Sequence, residues 1–473
     1  MTVLHTEVLV IGSGAGGSVT ADRMAAAGRK VTIVEEGPRV DPDAVEPFSL
    51  EEMVAKYRHR GGSAALGAPP VAYAEGRCVG GSTEINSGLW HRLPSYLTDD
   101  WRHRYDIDEF TSAVLDRYAA EIEGDLAVST LPGDPPPSSS VLAHGAEKLG
   151  WRSVEFPRVF RYDHRGRGVK QTMARTLIPR ALAAGAELVA DCRVHKLIGA
   201  GDRVTGVRAV RSAPDGSTEP VEIRADQVFV CGGAIQSPAL LQRSGIRRHI
   251  GRGLKLHPTI KIAARFDHPL DHGDIPMHRI TEFAPYLTIG GSANRRGHVA
   301  LALADAAVPL DEPMTEWENF GIYYAAIRSE GSGAVIAVPG MAAPVVTYRL
   351  TANDLSRLAR GLVHLGDSLL AAGASELYPS VIEGGVVRRR AELAGWWDTV
   401  TRNRSNLMTV HLTSSIRMGS PERAGTDSYG RVHGFVNLHV NDASLLPDAP
   451  GVNPQAGIMT IAARNADHFL ADS

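Results

Sequence analysis

Val8-Leu9-Val10-Ile11-Gly12-Ser13-Gly14-Ala15-Gly16-Gly17 is the stretch from which the rest of the chain can be read. Four consecutive apolar residues predict a strand buried on both faces, as in a parallel sheet. Gly12, Gly14 and Gly17 then fall at the G-x-G-x-x-G spacing. Gly12 permits the tight turn, Gly14 lets the backbone approach a pyrophosphate, and Gly17 lets the following helix lie close to the strand. A helix over Ser18 to Ala27 would present its unpaired N–H groups and partial positive charge to those phosphates. Gly28 ends the helix, and Lys30-Val31-Thr32-Ile33-Val34 forms a second strand. Glu35 follows, 18 residues beyond Gly17, where an acid that binds a ribose hydroxyl is expected. Strand, glycine turn, helix, strand and acid in this register predict an adenine dinucleotide site.

Bulk properties narrow what surrounds that site. The 473 residues exceed one ordinary core, so two domains are expected. A 43% hydrophobic and 22% charged composition is that of a globular protein. A net charge of −3 argues against nucleic-acid or anionic-membrane binding. No apolar run approaches the roughly 20 residues needed to span a bilayer, and no secretory leader precedes the first strand, read as starting at Glu7. Cys78, Cys192 and Cys231 are too widely spaced for a disulfide framework or a zinc site. A cytoplasmic location is the resulting expectation.

Beyond Glu35 the pattern alternates. A helix is predicted around Leu50 to Arg58 and an amphipathic helical stretch over 97–130, burying Leu97, Phe110, Val114, Leu115 and Tyr118. Pro132 to Ser140 reads as a surface connection, after which a serine-capped helix runs to Leu149 and stops at Gly150. Another helix is expected over Thr176 to Ala184. Short strands at 187–190, 193–198, 204–210 and 221–223 predict a β-meander set before a separate sheet strand, Gln227 to Val230. Residues 259–350 alternate short β runs with polar loops, which predicts an antiparallel sheet, and a helix follows over Ala352 to Leu370. The expected architecture is α/β (α+β overall). A Rossmann-like nucleotide domain is built from 1–92, 181–257 and 412–473, with a substrate domain from 93–180 and 258–411.

Three further blocks carry a more specific message. Gly76-Arg77-Cys78-Val79-Gly80-Gly81-Ser82-Thr83-Glu84-Ile85-Asn86 is similar to G-R-x-x-G-G-S-[ST]-x-x-N. Gly233 to Ile246 resembles G-A-x-x-[ST]-P-x-L-L-x-x-S-G-[IL], with Arg247 where a glycine usually follows. The last block starts at His411-Leu412-Thr413-Ser414-Ser415-Ile416-Arg417-Met418-Gly419 and continues through Gly430-Arg431-Val432. It then passes Val440-Asn441-Asp442-Ala443-Ser444 and ends at Asn453-Pro454. With the dinucleotide motif, these blocks resemble the glucose–methanol–choline (GMC) oxidoreductases over nearly the whole length. Ser414 departs from the family's usual glycine.

The resemblance implies FAD as cofactor and oxidation of an alcohol to a carbonyl, with the hydride passing to the flavin N5. Gly80, Gly81, Ser82 and Asn86 are then flavin contacts. Val194 lies near adenine, Asp442 and Ala443 near the pyrophosphate, and Asn453 and Pro454 beside the flavin ring. His411 is implied as catalytic base with Asn453 as its partner. Imidazole suits that task because its ordinary pKa lies near neutrality, and a carboxamide NH2 can hold the substrate oxygen. Relatives that attach FAD covalently use a histidine just before the asparagine; Ile85 stands there, so noncovalent FAD is expected. Molecular oxygen or another acceptor would reoxidise the flavin.

The substrate is less legible. A polar sugar or aminosugar alcohol is expected, such as the 6′-hydroxyl of paromamine-type aminoglycoside precursors in antibiotic biosynthesis. The alternatives are a hydrophobic alcohol or sterol, or a cyanohydrin lyase that keeps FAD without net redox. Trp90 and His91, next to the flavin segment, and Trp397 are candidate substrate residues. Nine carboxylates between 267 and 318 would favour a cationic substrate if several converged on the cavity. Asp271, His272, Asp274 and His278 read as a solvated loop rather than a metal site; His195 and His433 read as packing or loop residues.

Overall fold

The computed structural model describes residues 2–270 and 277–472. The opening strand is longer than its apolar core, Thr2–Ile11, and the helix behind it is Ala15–Ala26. Helix and strand meet as closely as the glycines allow: a Cβ on Gly17 would lie 2.0 Å from the Gly12 carbonyl oxygen. Val31–Val34 returns parallel to the first strand, as a crossover helix requires. The seven-stranded sheet runs Glu187–Val189, Val31–Val34, Thr2–Ile11, Thr218–Val230, Arg203–Ser212, Cys192–Ala200, with Leu438–Val440 beside Thr218–Val230.

The expected break between a meander and a separate strand at 227–230 does not exist. Thr218–Val230 is one continuous strand. Its first half pairs antiparallel with Arg203–Ser212, its whole length from Val221 pairs parallel with the first strand, and its end pairs with Leu438–Val440. The stretch 97–130 also differs, forming two helices, Ser95–Tyr105 and Ser112–Asp125. Asp106 and Glu109 take left-handed φ of 55° and 47° between them, and Phe110 fills the corner, fully buried. The proline-rich segment is not all surface. Pro137 opens the helix Pro137–Leu149 at its first turn, where a missing N–H costs nothing, and Ser138 and Ser139 are buried.

A nine-stranded, largely antiparallel sheet faces the dinucleotide sheet's glycine turns across the cavity described below. Its centre is Thr259–Arg265 paired with Phe320–Ile327, flanked by Leu287–Gly291, Leu407–Thr409 and Val71–Tyr73. Alternation along Thr259–Arg265 assigns the two faces. Ile260, Ile262 and Ala264 enter a core with Leu358, Leu362, Leu365 and Leu369 of the helix Ala352–Ala371. Thr259 and Lys261 point the other way, into the cavity. Thr351 and Asp354 close the start of that helix as a capping box.

Candidate active site

One elongated cavity of about 670 Å³ runs from the first glycine turn to the face of the nine-stranded sheet. At one end Gly12, Gly14, Glu35, Gly81, Ser82, Val194, Asp442 and Ala443 line it. Asn86, His411, Asn453 and Pro454 line it further along. Gly17 and Gly80 do not reach the lining. Gly17 seats the helix, whereas Gly80, in the left-handed region at φ 94°, donates its N–H to Ser13 Oγ at 3.0 Å and ties the two glycine loops together. Cradles for a flat, phosphate-bearing group are built in. A Cβ on Gly14 or Gly233 would meet nothing within 4 Å, so the empty volume begins at the backbone itself.

The acids around this end are held by the protein. Glu35 Oε2 accepts from Ser13 N and Oγ at 3.0 and 2.7 Å, and Oε1 accepts from Gly37 N at 2.9 Å. Burial pushes its carboxyl pKa up despite these bonds. Asp442 is also fully enclosed. Its carboxylate accepts from Gly233 N and Ser237 Oγ on one side and from Ser444 N and Oγ on the other. It thereby pins the start of the helix Gly233–Arg243 to the turn Ala443–Leu445, two walls of the same cavity.

The other end carries the imidazoles. His411 Nδ1 lies 2.9 Å from Nδ1 of His257, a buried histidine at the mouth of the Thr259–Arg265 strand that sequence reasoning missed. Gly451 N–H donates to His257 Nε2 at 2.9 Å. A backbone N–H can only donate, so His257 carries its proton on Nδ1 and donates it to His411. His411 then holds its own proton on Nε2, the nitrogen with no hydrogen-bond partner among the described residues. Burial drives the pKa of His411 well below the ordinary imidazole value, with the charges of His257 and Arg279 adding to the effect. Burial pushes His257 down to about 3. The Arg279 guanidinium is itself buried, makes no ion pair among the described residues, and packs over Phe156 and Tyr324.

Asn453 also lines the cavity, and its Oδ1, sealed from solvent, accepts no hydrogen bond from any described residue. Ser414 adopts φ 71°, the left-handed region in which a non-glycine residue is strained, which explains a glycine preference at this place. Its backbone N–H bonds Ala443 O, so the strained turn ties the short strand Leu412–Thr413 that follows His411 to the cavity wall at Ala443.

The three candidate substrate residues are not in the lining. Trp90 is buried in the core beneath the glycine helix, its Nε1 donating to Glu123 at 2.7 Å. Trp397 is 46% exposed, and its neighbour Trp396 takes the core position. His91 packs at a tilt against Phe156 and does not border the open volume; burial drives its pKa well down, with Arg279 and His411 adding to the effect. Of the nine carboxylates in 267–318, Asp305 alone of the described ones lines the cavity, with Lys261 near it, so the expected convergence of several carboxylates is not found among the described residues. Asp271, His272 and Asp274 lie outside the described residues. His278 faces Ser139 Oγ, and His433 Nε2 faces Gly419 O. Among the described residues no three His, Cys, Asp or Glu side chains gather as a metal site would require, and no helix is long and apolar enough to cross a membrane.

This architecture sets a sheet with a dinucleotide-type glycine turn against an antiparallel sheet, with an imidazole and a carboxamide lining the cavity they share. Family models of the GMC oxidoreductases match residues 6–259 and 338–462, and the chain belongs to that family. An uncharacterised GMC-type oxidoreductase of Sinorhizobium fredii is 40% identical over 99% of this chain and 95% of its own. A long-chain-alcohol oxidase of Arabidopsis thaliana is 26% identical over 97% of this chain and 66% of its own. A 6'''-hydroxyparomomycin C oxidase of Streptomyces lividus is 26% identical over 98% and 92%. Among solved structures, pyridoxine 4-oxidase from Mesorbium loti superposes with a TM-score of 0.75 at 20% identity, covering 98% of this chain and 99% of that one. The chain is thus an FAD-dependent alcohol oxidoreductase of the GMC type.

Proposed function

We propose that the chain oxidises a hydroxyl-rich, sugar- or aminosugar-type alcohol to the carbonyl, with His411 and Asn453 handling the reacting oxygen. The observation that carries this reading is that His411 and Asn453 both line the cavity that continues from the glycine loops, with neither His411 Nε2 nor the Asn453 carboxamide bonded to another described residue. FAD held along Gly12, Gly14, Glu35, Gly81, Ser82, Asn86, Val194, Asp442 and Ala443 supplies the two-electron acceptor for the hydride. Ile85 at the cavity wall has no group able to link to it, in keeping with noncovalent binding.

The residues divide the proton work. In the tautomer set by the Gly451 contact, His411 Nε2–H would donate to the substrate's oxygen and fix its position, as would the Asn453 amide. To receive the alcohol proton, Nε2 must be free. That is the opposite tautomer of the pair, with His411 Nδ1–H directed at His257 Nδ1 and the His257 proton moved to Nε2. Forming it surrenders the Gly451 contact and needs no net proton, so the histidine pair sets when His411 becomes a base. Arg279 and burial keep the pair uncharged at neutral pH, which preserves that lone pair.

Anaerobic mixing with a panel of aminosugars, neutral sugars and long-chain alcohols tests the reading, because a productive alcohol bleaches the oxidised flavin. Bleaching by hydroxyl-rich alcohols supports it. Bleaching by long-chain alcohols alone moves the substrate to the hydrophobic class. Cyanohydrin cleavage with no bleaching by any alcohol replaces it with the lyase.

A further inference from the structure

We infer that Lys261, Asp305 and His298 form a subsite that recognises the hydroxyl-bearing end of the substrate remote from the reacting carbon. This rests on the function proposed above and names the residues that would give it its preference. The Lys261 ammonium and the Asp305 carboxylate both border the cavity, yet neither makes a hydrogen bond or ion pair with any described residue, nor with each other. His298 borders it too, and its Nδ1 is sealed from solvent without a partner. The sealed Nδ1 of His298 is costly to leave unpaired, and the Lys261 ammonium and Asp305 carboxylate, half-buried and open to the cavity, are free to bond a ligand that enters it.

The placement is systematic. His257, Thr259 and Lys261 alternate along one chain segment, so Lys261 sits on the cavity face about 13 Å from His257, four residues at about 3.3 Å each. His298, Leu301 and Asp305 occupy one face of the helix Arg296–Asp305, at spacings of three and four. Asp305 ends that helix, where the negative end of the dipole opposes a carboxylate, so helix stability does not account for it. Burial raises its pKa while Lys261 opposes the rise, and burial lowers that of Lys261.

A cation and an anion held apart, beside a neutral imidazole, match a group that both donates and accepts. That is the chemistry of vicinal hydroxyls, rather than of a lone ammonium, a lone carboxylate or an alkyl chain. The separation from the histidine pair suits a substrate with a ring beyond the one being oxidised.

The test compares wild type, Lys261→Met and Asp305→Asn, each loaded with FAD, on an aminoglycoside, a neutral disaccharide and 1-octanol. The expected result is that the ratio of kcat/KM for the hydroxyl-rich alcohols over that for 1-octanol falls at least tenfold in each variant, mostly through KM. An unchanged ratio in both variants overturns the subsite while leaving alcohol oxidation standing. Should Lys261→Met lose flavin, Asp305→Asn at the helix end decides alone. A wild-type flavin bleached by no alcohol would instead refute the function proposed above.

Discussion

Replacing Asn453 with leucine separates a catalytic amide from a structural one. The side chain keeps the same number and branching of heavy atoms, but the carboxamide disappears. Its Oδ1 accepts no hydrogen bond and is closed off from solvent, an arrangement that costs about 1–3 kcal/mol in a folded protein. Removing it should therefore not destabilise the chain. For 473 residues the unfolding entropy is about 1 kcal/mol per kelvin, so relief of that cost raises the melting temperature by about 1–3 °C at most. Catalysis should move the other way. A hydrogen bond to an oxygen gaining negative charge contributes about 1.5–3 kcal/mol, which corresponds to roughly 10- to 150-fold in rate. The assay pairs a thermal melt with stopped-flow flavin reduction. The expected variant is as stable as wild type, or more so, and reduces its flavin at least tenfold more slowly. A melting temperature lowered by several degrees would assign the amide to structure, and flavin reduction within twofold of wild type would remove it from the chemistry.

His411→Ala should retain FAD, read from visible absorbance, and slow flavin reduction by about three orders of magnitude. Because the pKa of His411 is depressed, its uncharged form persists below the ordinary histidine range; kcat/KM should be level through neutrality and fall only as pH drops through that lowered value. Arg279→Met removes one charge that holds it down, so the acidic limb should move to higher pH, and a limb that stays in place would refute the electrostatic role. Gly14→Leu and Gly17→Ala should fail differently. The first projects into open volume and abolishes FAD binding with little change in the apoprotein's melting temperature. The second drives a Cβ to 2.0 Å from the Gly12 carbonyl and lowers that temperature directly.

The sequence by itself determined the dinucleotide half of the molecule and both ends of the cavity. The glycine turn at 12–17, the strand partners at 8–11 and 31–34, and the capped helix Ala352–Ala371 rest on local rules: backbone freedom, side-chain period and turn chemistry. His411 and Asn453 became candidates through the resemblance of their short runs to the GMC motifs, and the structure puts both in the cavity lining. Tertiary structure decided what stands next to them. His257 lies 154 residues from His411, and its one local signal, a histidine between a strand and Pro258, does not say which ring it will touch. Trp90 and Trp397 looked like cavity walls because proximity along the chain was taken for proximity in space; the turn of the backbone sends one into the core and the other to the surface. Lys261 and Asp305 share no motif and meet only because a strand face and a helix face enclose the same volume. Local conformation is written in neighbouring residues, whereas which side chains confront each other across a cavity depends on packing between elements that the chain brings together from far apart.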